Sequence, residues 1–165
     1  MELQLMHRTK NNLAEAVRTE MVPLLNARLA DAVDLFHQAK HAHWNLKGPQ
    51  FIALHQLFDT IAGHLEGFAD LLAERAVQLG GIAEGTCQVV AERTSLKPYP
   101  LTITTGRDHV DALSSALADF GGKVRAGIDA ADGRSDKNTA DLFTEISREV
   151  DKDVWFLEAH LHGER

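Results

Sequence analysis

FIALHQLFDTIAGHLEGFADLLAERAVQLGG, residues 51–81, decides the fold. Its apolar residues Phe51, Leu54, Phe58, Ile61, Leu65, Phe68 and Leu72 recur at alternating steps of three and four, which is one face of an α-helix. Gly80 and Gly81 end the pattern. The same spacing continues outward on both sides. Leu25, Leu29, Ala32, Phe36 and Ala39 form an earlier stripe whose next position is His43. Val110, Leu113, Leu117, Phe120, Val124 and Ile128 form a third, and Phe143, Ile146, Val150, Val154, Leu157 and Leu161 a fourth. Pro23 suits the first turn of the first helix, where its missing N–H costs nothing, and residues 9–21 read as a helical lead-in. Gly48 and Pro49 separate the first two helices.

Strand signals are nearly absent, since residues 102–105 are too few to count. The connection between the second and third helices, residues 80–105, contains Pro98 and Pro100, and within it residues 86–93 can form a short helix of their own. The expected fold is therefore all-α: four long helices with one long crossover, carrying a short extra helix, between helices two and three. That is the layout of ferritin-like bundles, although an up-down bundle with an oversized loop fits the same periodicity.

The chain has 165 residues, 44% of them hydrophobic and 25% charged, which suits one globular domain over 1–165 and excludes disordered and fibrous classes. Lys and Arg number 17 against 24 Asp and Glu, a formal charge of −7, which argues against a surface built wholly as a nucleic-acid cradle. A single cysteine, Cys87, excludes an internal disulfide and a thiolate zinc site, and is expected to pack within the crossover. No apolar run reaches the ~18–20 residues of a membrane span, and the first residues lack the apolar core of a signal peptide. A soluble protein of a reducing compartment, the cytoplasm, is expected.

The second helix also carries a metal-type pattern. His55 and Asp59 are four residues apart, as are Asp70 and Glu74, so each pair projects from one side of the helix. All four lie on one stripe flanking the apolar face, where unneutralised carboxylates are costly. His55 and Glu74 nevertheless stand about 28 Å apart along the axis, so one copy of the helix cannot close both pairs around one ion. An antiparallel second copy can. His55 and Glu74 are equidistant from the midpoint between His64 and Leu65, and so are Asp59 and Asp70. A twofold axis at that midpoint places each pair opposite its complement, in an isologous dimer with two equivalent sites. Gly63 and Gly67 flank the axis and permit close backbone approach, and His43 at the end of the first helix is the natural additional ligand. His64 near the axis reads as a supporting group. The pair His37 and His41 lacks a carboxylate and reads as solvated, and His160 and His162 look incidental. Imidazole mixed with carboxylates suits iron, manganese or zinc, and open coordination positions suit redox-active iron better than closed structural zinc.

His43-Trp44-Asn45, Gly48, Phe51, His55 and Asp59 follow the signature H-W-N-x-x-G-x-x-F-x-x-x-H-x-x-x-D, with Asp70 and Ala73-Glu74-Arg75-Ala76 after it. Tyr99, Pro100 and Leu101 in the crossover, and Asp151, Lys152, Trp155, Phe156, Leu157 and Glu158 in the last helix, extend the likeness. The chain resembles the Dps family of small ferritin-like proteins over nearly its whole length. That resemblance implies a homo-oligomeric, hollow shell of twelve subunits that takes up Fe(II) and oxidises it, preferably with hydrogen peroxide. Ferric mineral is then stored inside, which protects the cell from oxidative damage. It implies ferroxidase centres, two-site and shared between twofold-related chains, with His43, His55 and Asp59 from one chain and Asp70 and Glu74 from the other. Glu74 would be the bridging ligand, Trp44 would pack beside the centre, and zinc or manganese could substitute for iron. Iron-entry pores on threefold axes would involve Asp141, with Asp136 and Glu145 one turn either side.

DNA binding in the family usually depends on a Lys-rich N-terminal extension. Here residues 1–10, expected to form a flexible tail, offer only Arg8 and Lys10, offset by Glu2, and the C-terminal Gly-Glu-Arg adds one charge of each sign. Twelve chains at −7 each carry −84, which such a tail must overcome. The alternative reading is nonetheless a nucleoid-associated protein that protects DNA and uses the shell as a scaffold. A third is passive structural binding of zinc or manganese.

Overall fold

The computed structural model describes residues 5–162. Glu2 and the terminal residues 163–165, which entered the charge reading, lie outside them. Among the described residues there are five helices: α1 (Glu15–Asn45), α2 (Phe51–Gln78), α3 (Cys87–Arg93), α4 (Gly106–Gly133) and α5 (Lys137–Ala159). No strand forms among them; a lone parallel bridge joins Lys47 to Thr105. α1 packs along α2 and α4 along α5, α1 and α2 touch α4 and α5 respectively, and α3 lies on α1. The long crossover with its short helix is as the periodicity implies, and the fold is a ferritin-like bundle.

The four stripes meet in one core whose largest wholly enclosed side chains are Phe58, Phe120 and Phe143. Leu35, absent from the expected stripe, is fully buried while its neighbour Phe36 is only half-buried. The lead-in expected over residues 9–21 is helical from Glu15 and continuous with α1, so Pro23 lies in the third turn of that helix instead of its first. The helix continues through it because Pro23 and Thr19 are both exposed, so the Thr19 carbonyl that loses its donor meets water. Residues 9–14 are not helical. The Asn11 side chain accepts the Leu13 N–H at 2.9 Å and Thr9 Oγ1 accepts the Asn11 N–H at 3.1 Å, side-chain turns that compete with a helix.

Further back, the segment expected to be a loose tail is partly docked. The His7 N–H donates to the Gly80 carbonyl at 2.6 Å, and Met6 packs on the core. Gly80 has φ +92°, and a Cβ there would stand 2.6 Å from the His7 oxygen, so glycine is required on both counts.

Polar groups on α1 hold the crossover. Asn26 donates to the Ile82 carbonyl and accepts from the Glu84 N–H, both at 2.9 Å. Buried Asp31 accepts from the Ser95 N–H at 2.7 Å and pairs with Arg28 at 2.8 Å, while Asp34 accepts from Thr94 Oγ1 at 2.7 Å. The α4–α5 junction is tied to α2 by a buried ion pair. Arg75 reaches Asp136 at 2.7 Å and donates to Thr139 Oγ1 at 2.9 Å. Asp136 also caps α5 by accepting the Thr139 N–H at 3.1 Å.

Two predictions follow from these buried groups. Arg75→Met strands the Asp136 carboxylate, which should cost about 3–5 kcal/mol. The melting temperature should then drop by on the order of 10 °C; an unchanged melting curve would show that the pair contributes nothing. His109 is fully enclosed, and its pKa is lowered by desolvation and by nearby His41. The unfolded chain therefore takes up a proton below about pH 6.5 that the folded chain refuses. Stability should fall as pH drops through that value, and His109→Leu should flatten the profile of melting temperature between pH 7 and pH 5.

Candidate metal centre

The turn between α1 and α2 sets two imidazoles face to face. Gly48 adopts φ +123°, which a side chain resists, and the Phe51 N–H closes the turn onto its carbonyl at 3.1 Å. His43, in the last turn of α1, then stacks on His55, in the second turn of α2, with centroids 3.7 Å apart and planes 20° from parallel. Each ring is bonded to the other's backbone: His43 Nδ1 donates to the His55 carbonyl at 2.7 Å and His55 Nδ1 to the His43 carbonyl at 2.9 Å. A carbonyl only accepts, so both Nδ1 atoms carry the proton and both Nε2 atoms are left with a lone pair. That is how a ligating histidine is usually oriented. Phe51 also stacks with His55, with ring centroids 5.0 Å apart.

Asp59, one turn further along α2, stands 4.0 Å from His43 Nδ1 and takes a 2.6 Å hydrogen bond from Lys40 Nζ. That bond to Lys40 holds the Asp59 carboxyl below the usual carboxylate range, against a weaker opposing effect of desolvation, with further help from the charges of Lys40, His43 and His55. The structure therefore collects His43, His55 and Asp59 into one patch. Asp70 and Glu74 lie on the same helix beyond it. Both are exposed, and among the described residues neither has a bonded partner. The expected five residues do not converge within one chain, as the helix length requires.

Between the two halves runs an open depression of about 780 Å³, with Gly63, Gly67, Asp70 and Ala73 of α2 on one wall and Leu29 and Val33 of α1 on the other. A Cβ on Gly63 or Gly67 would touch nothing within 4 Å, so neither glycine serves packing inside the chain. Ile52 and Val77, equidistant from the α2 midpoint, are 63% and 55% exposed. Trp44 is 66% exposed, with Lys40 Nζ 5.7 Å above its ring. Trp44 therefore stands out from the single chain, one residue beyond His43.

Several expectations need correction. Asp136 is not available to a pore, because 99% of its surface is enclosed and its carboxylate is committed to Arg75 and Thr139. Asp141 and Glu145 remain exposed on α5. His64 does not accompany the α1-facing ligands; it turns to α5, where Asp153 lies 3.0 Å and Glu149 3.7 Å from its Nδ1. His37 is exposed as expected, but His41 is half-buried against the edge of Tyr99. Cys87 is exposed at the start of α3 instead of packed. Lys40 went unnoticed in the sequence, though a cation one turn before His43 on the same helix was there to be read.

Comparison with known proteins bears on the fold and the family. Residues 22–165 match the family model of the ferritin-like domain. The DNA protection during starvation protein of Agrobacterium fabrum is 47% identical over 155 residues, covering 94% of this chain and 96% of that one. Among solved structures, Dps from Microbacterium arborescens in the high iron form is similar at TM-score 0.82 and 34% identity, over 93% of this chain and 97% of the other. A Dps protein from Vibrio cholerae, described as a member of a broad superfamily of ferritin-like diiron-carboxylate proteins, has TM-score 0.88 and 25% identity over 94% and 98%. The chain belongs to the Dps family of ferritin-like proteins.

Lys40 Nζ occupies the Asp59 oxygen that a cation bound there would need. The pair is largely solvated, so its removal should matter modestly. Lys40→Met should tighten Co(II) or anaerobic Fe(II) binding by about two- to fivefold, in line with the ~0.2–1 kcal/mol of an exposed ion pair. Weaker binding in calorimetry would instead make Lys40 a positioning group.

Proposed function

We propose that this chain is the subunit of an iron-storing shell that oxidises Fe(II) at centres shared between twofold-related copies. The observation that carries this reading is the reciprocal bonding of His43 and His55, which leaves both Nε2 atoms with a lone pair in the patch that holds Asp59, while Asp70 and Glu74 stand exposed further along α2. Antiparallel pairing of two α2 helices about the His64–Leu65 midpoint sets Asp70 and Glu74 of one copy against His43, His55 and Asp59 of the other. The same operation brings exposed Ile52 opposite Val77, and the open surface at Gly63 and Gly67 admits the partner backbone. The Microbacterium relative, solved in a high iron form, supports iron chemistry, and the name of the Agrobacterium relative, DNA protection during starvation, supports a protective role.

Each centre would bind Fe(II) as substrate through imidazole nitrogen and carboxylate oxygen, with Glu74 reaching both of its positions. Carboxylates favour the ferric product, and a site assembled from only five side chains keeps positions open for the oxidant. With hydrogen peroxide, two Fe(II) give up one electron each; the O–O bond breaks and two protons complete two waters. Passing two electrons together avoids releasing hydroxyl radical. Ferric product would then collect inside a dodecameric shell, with Asp141 and Glu145 at the entry pores. Manganese and zinc would occupy the same ligands without turnover. DNA has no part in this reading, because a charge of −7 per chain opposes a polyanion and Arg8 and Lys10 are the only cations of the leading segment.

Anaerobic Fe(II) loading followed by peroxide, read by near-ultraviolet absorbance, tests the centre. Glu74→Gln, and His55→Ala with Asp59→Ala, should each slow ferric formation at least tenfold with the oligomer unchanged in size-exclusion chromatography. Sharing is tested by co-assembling those two inactive variants in equal amounts. Half of the interfaces are then mixed and each carries one intact centre, so about a quarter of the activity should return. No recovery, with mixed oligomers shown by mass spectrometry, would overturn the shared centre.

A further inference from the structure

α2 presents a second group of donor atoms on a different side. His64 is five residues beyond Asp59, which turns it about 140° around the helix and advances it about 7.5 Å. It faces α5 instead of α1. There Glu149 and Asp153 are four apart on the interior of α5, so both project toward it. His64 Nδ1 is 3.0 Å from Asp153 Oδ2, 3.2 Å from Asp153 Oδ1 and 3.7 Å from Glu149 Oε1. One donor atom from each residue lies within 4.8 Å of the other two.

We propose that His64, Glu149 and Asp153 form a second divalent-metal site, complete within one chain and separate from the shared centre. Metal–nitrogen and metal–oxygen bonds of about 2.0–2.2 Å, opened at 90–120°, put neighbouring ligand atoms roughly 3.0–3.7 Å apart. The separations from the His64 ring nitrogen span that interval. Asp153 supplies the independent reason for a cation. Its side chain is 1% exposed, yet among the described residues His64 is its sole hydrogen-bond donor, while a carboxylate can accept about four. Burial pushes the Asp153 carboxyl up, the His64 contact lowers it, and the charge of nearby Glu149 adds to the rise. A buried, thinly bonded carboxylate with a second one beside it is a place where positive charge is lacking.

The other two ligands give access. His64 and Glu149 are 32% and 33% exposed, so an ion enters from one side and keeps water on its open positions. Lys152 Nζ, 3.1 Å from Glu149 Oε1, is 50% exposed and free to swing into solvent as the ion arrives. One imidazole with two carboxylates selects first-row ions such as Fe(II), Mn(II), Co(II) and Zn(II) over Mg(II) and Ca(II). All three ligands sit in helix interiors, so the site is preorganised.

Co(II) is the probe, because its visible spectrum reports nitrogen and oxygen ligation directly. In metal-free protein carrying Asp59→Asn and Glu74→Gln, which silence the shared centre, one Co(II) per chain should still bind in the presence of excess Mg(II). Adding His64→Gln should weaken that binding at least tenfold and change the spectrum, as should Asp153→Asn, while His160→Gln should leave both as they were. No residual Co(II), or residual binding indifferent to His64→Gln, would overturn the site and leave a plain histidine–carboxylate bond. His64→Gln is half-solvated and conservative, so the test does not hinge on whether Asp153→Asn folds. Because all three donors come from one chain, its result is independent of the co-assembly experiment on the shared centre.

Discussion

Two imidazoles, each giving its Nδ1 proton to the other's backbone carbonyl, lock the end of α1 to the beginning of α2. The bonds run from side chain to main chain in both directions, so they fix the relative height of the two helices as well as the ring orientations. Lys40 meets Asp59 because of that register. The lock also forces a chemical outcome. Ring nitrogens bonded to carbonyls must be donors, which leaves each remaining nitrogen with a lone pair, the tautomer being assigned by the backbone.

A straight helix makes the next demand. α2 runs from Phe51 to Gln78, and its midpoint is the same His64–Leu65 step that relates its two ligand pairs. Its apolar face is used up by the bundle core, and its remaining sides diverge. One meets α5 through His64, and another carries the rest, meeting α1 at Asp59 and leaving Asp70 and Glu74 in solvent about 16 Å and more further along the axis. No bend of a 28-residue helix brings Asp70 and Glu74 to Asp59. A centre that needs both must borrow from another copy, and the exposed Ile52, Val77, Gly63 and Gly67 lie along the side where that copy would sit.

Most of the fold was legible because it rests on period. The alternating three-and-four spacing of α2 transfers directly into burial, and the prolines of residues 80–105 forbid a fifth long helix. Legibility stopped where a polar side chain chose between two neighbours. Asp136 reads as an acidic first-turn residue, and nothing local reveals that Arg75, sixty-one positions away, takes its charge inward. His64 sits near the symmetry midpoint and so reads as part of the interface, but the decisive contacts come from Asp153, eighty-nine positions on. Pro23 reads as a start signal, and only its exposure explains why the helix runs through it. Ligand types and spacings were readable; rotation about the helix axis was not.

That rotation is governed from both ends of α2. His55 is pinned by the α1 lock, and about 30 Å further along Arg75 is pinned by Asp136 and Thr139. Glu74 precedes Arg75 by one residue and so projects about 100° around the axis from it. Holding the guanidinium inward therefore holds the carboxylate outward. The buried ion pair fixes the phase of the helix at the one end where its ligands have no partner of their own. Asp59 and Asp70 lie between the two pins and cannot drift. A helix anchored at one end alone would let its far ligand pair precess with any change in winding, and a twofold site tolerates no such drift because every error appears twice. Arg75 thus contributes to stability and to the direction in which Glu74, a side chain it never touches, projects.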